Sequence, residues 1–402
     1  LVARERLGKL QIHDSKRTSV IVPTYNRKNF LQSSLNAILA QTDARDEVIV
    51  VVDGSSDGTE CLLQTYEGRI HTIHQKNVGK AKALNAALAI ATGQFVWVVD
   101  DDDIVCPTAH LDLLALFDGK PDVMIAYGRH RRFRQEADGT KILLDTGYWN
   151  DCRADELFLA TLEDFFVHQP GMLVRRSLYR VVGDFDESLP RSIDYDMLIR
   201  LARHGKAAST NKVIFHQRQH DGDRGPAKKR FKIRDRDANW VLNDAHIITR
   251  LHESLPLEAY LPANEIRTAQ DRRQALLQRG TIMARKKRWP LALLDFRTAL
   301  DEFVEPLSLT EKQILRRATG SKYGCAEIIS NPEIDVGLAV LRLTGPHGVE
   351  VCRSLARGLV WRIRECLIRG DLKGASQIAR QAYRWASGKG GQDKQLSAVR
   401  RF

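Results

Sequence analysis

No stretch of the sequence stays apolar over the ~18 residues that a spanning helix requires, so no helical membrane span is expected. Cysteine is scarce and scattered. Its six residues, at 61, 106, 152, 325, 352 and 366, form no C-x-x-C pair and have no histidine cluster beside them. That spacing argues against a disulfide framework or a zinc module and suits a reducing cytoplasm. The opening residues, Leu1-Val2-Ala3-Arg4-Glu5-Arg6, lack the apolar core of a secretory leader. They also lack Met, so the N-terminus reads as incomplete or processed. Long β-branched runs are missing after about residue 220, where the texture turns helical.

What is present is a 402-residue chain, 43% hydrophobic and 28% charged, enough for two globular domains. The net charge of +12 is uneven. Residues 1–220 carry 28 Lys+Arg against 29 Asp+Glu, and residues 221–402 carry 34 against 21. A basic second half suits anionic partners such as lipid head groups or acidic polymers, or it is simply a solvated helical surface rich in Arg.

The first hundred residues alternate between strand and helix patterns. Ser19 to Val22 is a short β-branched run stopped by Pro23, and 28–41 has helical spacing through Phe30, Leu31, Leu35, Ile38 and Leu39. Val48 to Val52 reads as a buried strand, 70–74 as a short strand, 79–92 as an Ala-rich helix and Phe95 to Val99 as another buried strand. This rhythm predicts a sheet with parallel strands and helices on both faces. Ligands of such folds bind beyond the carboxyl ends of the strands, where Pro23, Asp53 and Asp100 fall. The break Asp221-Gly222-Asp223-Arg224-Gly225-Pro226 and a basic run from Lys228 to Arg236 then separate a mostly helical region. Helices are expected over 232–254, 266–303, 309–318 and 350–387. Two helical hairpins, one turning at Arg288-Trp289-Pro290 and one at Arg369-Gly370-Asp371, match a tetratricopeptide pattern in part, without its period.

The sharpest local feature is Asp100-Asp101-Asp102-Asp103 at the end of an apolar strand. Adjacent carboxylates repel, so the turn must either be fully solvated or be neutralised by a cation. Hard divalent ions take such oxygen ligands and share them with phosphates.

Other motifs surround it. Pro23-Thr24-Tyr25-Asn26-Arg27 closes the first strand, and Asp53-Gly54-Ser55-Ser56-Asp57-Gly58-Thr59 closes the second. Asn77-Val78-Gly79-Lys80 opens the helix before the acidic strand. Val182-Gly183-Asp184-Phe185-Asp186-Glu187, Asp194-Tyr195-Asp196-Met197-Leu198 and Arg218-Gln219-His220 follow. In this order and spacing the set resembles glycosyltransferase family 2, inverting enzymes of the GT-A fold, over residues 18–222. The resemblance implies an α/β GT-A domain, a Rossmann-like mixed sheet flanked by helices, after an extension at 1–17 and before a basic α-helical domain at 223–402.

The resemblance also implies roles. Pro23, Thr24 and Tyr25 would lie against the donor nucleotide, Asp53 would bind its base, and Lys80 would sit near the donor phosphates. Asp100 and Asp102 would form the D-x-D motif, with Asp100 on the ribose or the metal's water shell and Asp102 on a Mn2+ or Mg2+ ion. His220 would ligate that metal or bond the diphosphate. Asp194 would be the general base, with Asp196 as its competitor. Two departures stand out: Val52 and Ile193 occupy positions where the family usually has a second acid. The stretch with Glu163, Asp164, His168 and Gln169 would line the acceptor side. Read from the sequence itself, a basic cluster, Arg129, Arg131, Arg132 and Arg134, follows a strand at 123–127 and either contacts an anionic acceptor or is a solvated edge.

The implied function is inverting transfer from a nucleotide sugar, commonly a UDP-sugar, to a glycan, lipid-linked or protein acceptor. The setting would be synthesis of a polysaccharide, lipopolysaccharide or other glycoconjugate. The location would be cytoplasmic, with peripheral contact at the inner face of the membrane or with a partner protein through the basic domain. The rival is a non-catalytic interaction protein with a degenerate transferase domain. Nucleic-acid binding lacks any recognisable module, and a sugar nucleotidyltransferase would need a Gly-rich, Arg-containing loop after the first strand.

Overall fold

The computed structural model describes residues 16–136, 138–219, 236–302 and 305–388. They divide into two compact units. One holds the described residues of Leu1–Leu157 and Phe166–Ile233, the other those of Phe158–Phe165 and Arg234–Phe402.

In chain order the elements begin β1 (Thr18–Thr24), α1 (Lys28–Leu39), β2 (Asp46–Asp53), α2 (Thr59–Gln64), β3 (His71–Gln75), α3 (Lys80–Ile90) and β4 (Phe95–Val98). They continue with β5 (Ile104–Val105), α4 (Ala109–Leu114), β6 (Val123–Gln135), β7 (Lys141–Leu143) and α5 (Leu157–Glu163). Next come β8 (Met172–Arg175), α6 (Arg176–Val182), α7 (Ile193–His204) and β9 (Lys206–Arg218). The sheet runs β3-β2-β1-β4-β8-β6-β9-β5, with β7 paired to β6. The β1, β2, β3 and β4 pairings are parallel, and β8 enters antiparallel between β4 and β6. This is the mixed GT-A arrangement that the resemblance implies.

The β-branched runs explain the two-sided core. Val20, Val22, Val48, Val50 and Val52 bury one face against Leu31, Leu35 and Ile38 of α1. The alternate residues Ile21, Ile49 and Val51 are equally buried, and α3 packs against β1 and β2. Ala81, Ala83 and Ala87 on α3 are small enough to let that helix approach closely. Pro23 does not stop β1, which continues to Thr24. The Ile21 carbonyl accepts from Val99 N, so Ile21 and Pro23 face β4, but the ladder with β4 ends at Ile21. The missing N–H of Pro23 therefore has no partner to lose.

The four arginines expected after a strand at 123–127 lie within β6, which runs on to Gln135. They are engaged locally: Arg129 with Asp151, Arg132 with Asp145 and Arg134 with Glu136, and Arg131 with the Leu144 carbonyl.

The second unit continues with α8 (Arg236–Ser254), α9 (Ala269–Arg285), α10 (Trp289–Glu302), α11 (Leu309–Arg317), α12 (Ala326–Ser330), α13 (Pro332–Leu343), α14 (Pro346–Gly358), α15 (Val360–Ile368) and α16 (Leu372–Ser387). The helices expected at 266–303 and 350–387 are interrupted near the hairpin turns expected within them, and the second is interrupted again at Leu359. α9 and α10 form a hairpin in which a Cβ on Gly280 would stand 2.6 Å from the Phe296 ring, so only glycine permits that approach. Among the described residues no helix is long and apolar enough to cross a membrane.

Candidate active site

The site lies where β1, β2 and β4 end. Two loops are locked together first. Asn26, in the left-handed region at φ 50°, donates its backbone N–H to Ser55 Oγ at 3.0 Å and accepts from Ser56 N at 2.7 Å. Asparagine tolerates that backbone conformation better than most residues. Asp57 accepts from Lys28 N and Thr59 N, tying the start of α1 to the start of α2.

Asp53 ends β2, is buried, and accepts from Gln75 Nε2 at 2.8 Å and from Val78 N and Gly79 N at 2.9 Å. Its carboxylate therefore shapes the turn that launches α3 and delivers Lys80 as the first helical residue. Asp53→Ala should strand two backbone donors and lower stability by about 1–3 kcal/mol. Urea unfolding checks this, and an unchanged midpoint would refute the positioning role.

Asp100 to Asp103 follow β4. Asp101, Asp102 and Asp103 are 4, 7 and 3% exposed, so the solvated-turn reading fails and cations must supply the balance. Arg27 donates to Asp101 Oδ1 at 3.0 Å and also to Asp102 Oδ2. The Lys80 ammonium donates to Asp100 Oδ1. Arg218, 2% exposed, donates its backbone N–H to Asp103 Oδ1 and its Nε to the Asp102 carbonyl, both at 2.9 Å. Its guanidinium lies between the rings of Phe30 and Phe133, 4.8 and 4.6 Å from their centroids.

The electrostatics show an excess of negative charge. Burial pushes the Asp101 carboxyl up to about 6, and Asp102 and Asp100 push in the same direction against the opposing pull of Arg27. Burial pulls the Lys80 ammonium down, but the charges of Asp100 and Asp194 more than compensate and raise it above its ordinary value. Asp194, in the first turn of α7, thus lies within electrostatic reach of Lys80 and shares the site. Its Oδ1 accepts from Tyr195 N at 3.0 Å. Asp196, the competing base candidate, is committed to Arg200 through bonds of 2.9 and 2.8 Å. Arg200 in turn holds the 182–184 carbonyls.

Asp100, Asp102 and Asp103 each bring a carboxylate oxygen within 4.8 Å of the others. A divalent ion with oxygens at about 2.1–2.4 Å sets its ligands roughly 4–5 Å apart at most. The donor set is all hard oxygen, and the residues present fit such an ion.

The sequence-derived candidates converge in part. Thr24 is buried at the end of β1, with Pro23 before it and half-buried Tyr25 after it. Asp100, Asp102 and Lys80 form one cluster, with Asp194 in electrostatic reach of Lys80, whereas the Asp53 carboxylate is occupied by the turn before α3. His220 lies outside the described residues. Glu163 and Asp164, expected on the acceptor side, are grouped with the helical unit. Arg27 and Arg218 stand within the sequence motifs, but their bracing of the acidic turn is visible only in the structure. The one available signal was a basic residue closing a strand in a chain that must also neutralise four carboxylates.

The pattern described as "Glycosyl transferase family 2" matches residues 19–183. An uncharacterized glycosyltransferase of Rickettsia typhi is 28% identical over 210 residues, 52% of this chain and 65% of that protein. A hyaluronan synthase of Pasteurella multocida is 30% identical over 215 residues, 52% of this chain and 21% of that protein. The chain thus spans about two thirds or less of these relatives. A crystal structure of S. aureus TarS 1-349 with UDP-GlcNAc aligns at a TM-score of 0.47 and 15% identity, covering 92% of this chain and 91% of that one. By the family match alone, residues 19–183 form a glycosyl transferase family 2 domain.

Proposed function

We propose that the chain transfers a sugar from a nucleotide-sugar donor of the UDP-sugar class to an acceptor hydroxyl, inverting the anomeric carbon. The observation that supports this best is the gathering of Asp100, Asp102, Asp103 and Lys80 at the strand ends of a family 2 domain, with Asp194 at the start of α7 in electrostatic reach of Lys80. Asp100, Asp102 and Asp103 would hold a divalent ion, Mn2+ or Mg2+. Such an ion, when bound, neutralises charge on the departing diphosphate. His220 is a further ligand candidate from the sequence.

Lys80 would add a fixed positive charge beside the diphosphate. Pro23, Thr24 and Tyr25 would border the nucleotide, and Asp53 would hold the loop that faces its base. Asp194 would take the proton of the acceptor hydroxyl as that oxygen attacks the anomeric carbon. The engagement of Asp196 with Arg200 supports Asp194 over its neighbour. The hyaluronan synthase relative supports a polysaccharide or related glycoconjugate product, with a glycan, lipid-linked or protein acceptor. The basic helical unit would meet an anionic membrane or a partner protein, in keeping with a cytoplasmic enzyme that works at the membrane's inner face.

The test is a thermal-shift series of nucleoside diphosphates with Mn2+, read beside transfer assays. A ligand at a hundred times its Kd stabilises by about 2.7 kcal/mol. Asp194→Asn should lower kcat by roughly 10²–10³-fold while keeping the nucleotide-induced shift. The proposal fails if no nucleoside diphosphate raises the melting temperature, or if Asp194→Asn transfers at the full rate.

A further inference from the structure

Helix α15 presents an unusual surface. None of its residues is buried. Val360, Trp361, Arg364, Leu367 and Ile368 recur at i, i+1, i+4, i+7 and i+8, which places them on one face of a 3.6-residue helix. All five are exposed, with Trp361 at 43% and Ile368 at 77%. Leu372, just past the turn, is exposed at 70%. An apolar stripe with this period ordinarily faces a core, and here it faces outward.

The charges beside it are mostly positive. Arg357, Arg364, Arg369 and Lys373 are exposed on and next to the helix. Its one acid, Glu365, lies off the stripe and is taken up by Arg362 and Arg369. The Arg362 guanidinium lies 3.8 Å from the centroid of the Trp361 ring, leaving an aromatic edge with a cation beside it. The following Asp371 caps α16 through Gly374 N.

We propose that this face of α15, extended by Leu372, inserts into the interfacial layer of an anionic lipid bilayer. Nine residues at about 1.5 Å each make a helix of roughly 13 Å, too short to span a membrane but suited to lying in its surface. A tryptophan among aliphatic residues with flanking arginines is the composition that partitions to the headgroup boundary. A second copy of the chain is a poorer occupant, because a two-fold contact would set Arg357, Arg364 and Arg369 against one another. This gives the proposed membrane contact a location. It takes the class of surface from that reading and does not depend on the transferase chemistry.

The experiment uses the full chain with sedimented vesicles of phosphatidylcholine alone or with phosphatidylglycerol, at low and high salt and without nucleotide. Binding should require phosphatidylglycerol and fall at least tenfold at high salt. Leu367→Asp with Ile368→Asp should reduce binding at least tenfold, with an unchanged circular dichroism spectrum and unchanged transfer to a soluble acceptor. Brominated lipids should quench Trp361 emission, and Trp361→Phe should remove that quenching. Absence of vesicle binding, equal binding by the double variant, or no quenching at Trp361 would each overturn the proposal. So would a change in sedimentation-equilibrium mass with the double variant and none in vesicle binding. Loss of transferase activity in the wild-type chain would leave this result intact and count against the catalytic reading alone.

Discussion

Asp102→Asn is expected to abolish sugar transfer, by about 10³-fold or more (~4 kcal/mol), while leaving the protein folded. The reason is an asymmetry in how the acidic turn is balanced. Asp100 to Asp103 and Asp194 bring five carboxylates to one place, against the cations Arg27, Lys80 and Arg218. Removing one negative charge relieves repulsion within the turn, and Arg27 keeps its bond to Asp101. Asp103 stays fixed by the Arg218 backbone, and the Asp102 carbonyl still accepts from Arg218 Nε. The melting temperature without metal should therefore stay constant or rise. The increment that Mn2+ and a nucleoside diphosphate add to the wild-type protein should disappear. Chelation by EDTA should reproduce the loss of activity in the wild type and change nothing in the variant. If Asp102→Asn melts well below the wild type, the carboxylate is structural, and the assignment of Asp102 to the metal loses its support.

The sequence exposes one half of this site and hides the other for a physical reason. Short-range signals carried β1, β2 and β4, because buried strands need apolar runs and the residues that end them must be polar. Arg27 was legible only as part of a motif, since its partners lie 74 and 75 residues away. The length of β6 was hidden by register shifts between Gly128 and Arg129 and between Arg129 and His130. Those irregularities break the two-residue alternation that marks a strand, so its arginines read as lying beyond the strand's end. In the helical unit, Asn331-Pro332 is a cap followed by a proline in the first turn of α13. That signal was present in the sequence and α13 went unread. The assignment of 158–165 had no local signal, because the segment is defined by contacts made more than a hundred residues downstream.

That segment sets the second large effect: residues 18–222 expressed alone should be far less stable than the full chain, and Asp164→Ala should cost about 3–5 kcal/mol in the intact protein. Phe158–Phe165 packs with the helices that such a cut removes. Glu163 bonds Gln278 Nε2 and Arg317 Nε at 2.9 Å each. Asp164, fully buried, bonds Arg285 and Lys322 N, with the Lys286 ammonium 3.6 Å away. Burial alone would raise the Asp164 carboxyl, but Arg285, Lys286 and Lys322 outweigh it and hold it below its usual range. A depressed folded value means that the stabilisation is complete above the unfolded pKa of about 3.9 and vanishes as pH falls through the lower folded value. Truncation removes every one of these partners and uncovers Leu162, which is buried in the whole chain. Asp164→Ala instead leaves Arg285 and Lys286 buried with less compensation, which explains a cost larger than that of a surface pair. Urea unfolding at neutral pH and near pH 3.5 separates the contributions: the gap between wild type and Asp164→Ala should narrow in acid. A fragment 18–222 that unfolds at the same urea concentration as the whole protein would show that 158–165 contributes nothing to holding the chain together, and that a boundary near 222 is sufficient.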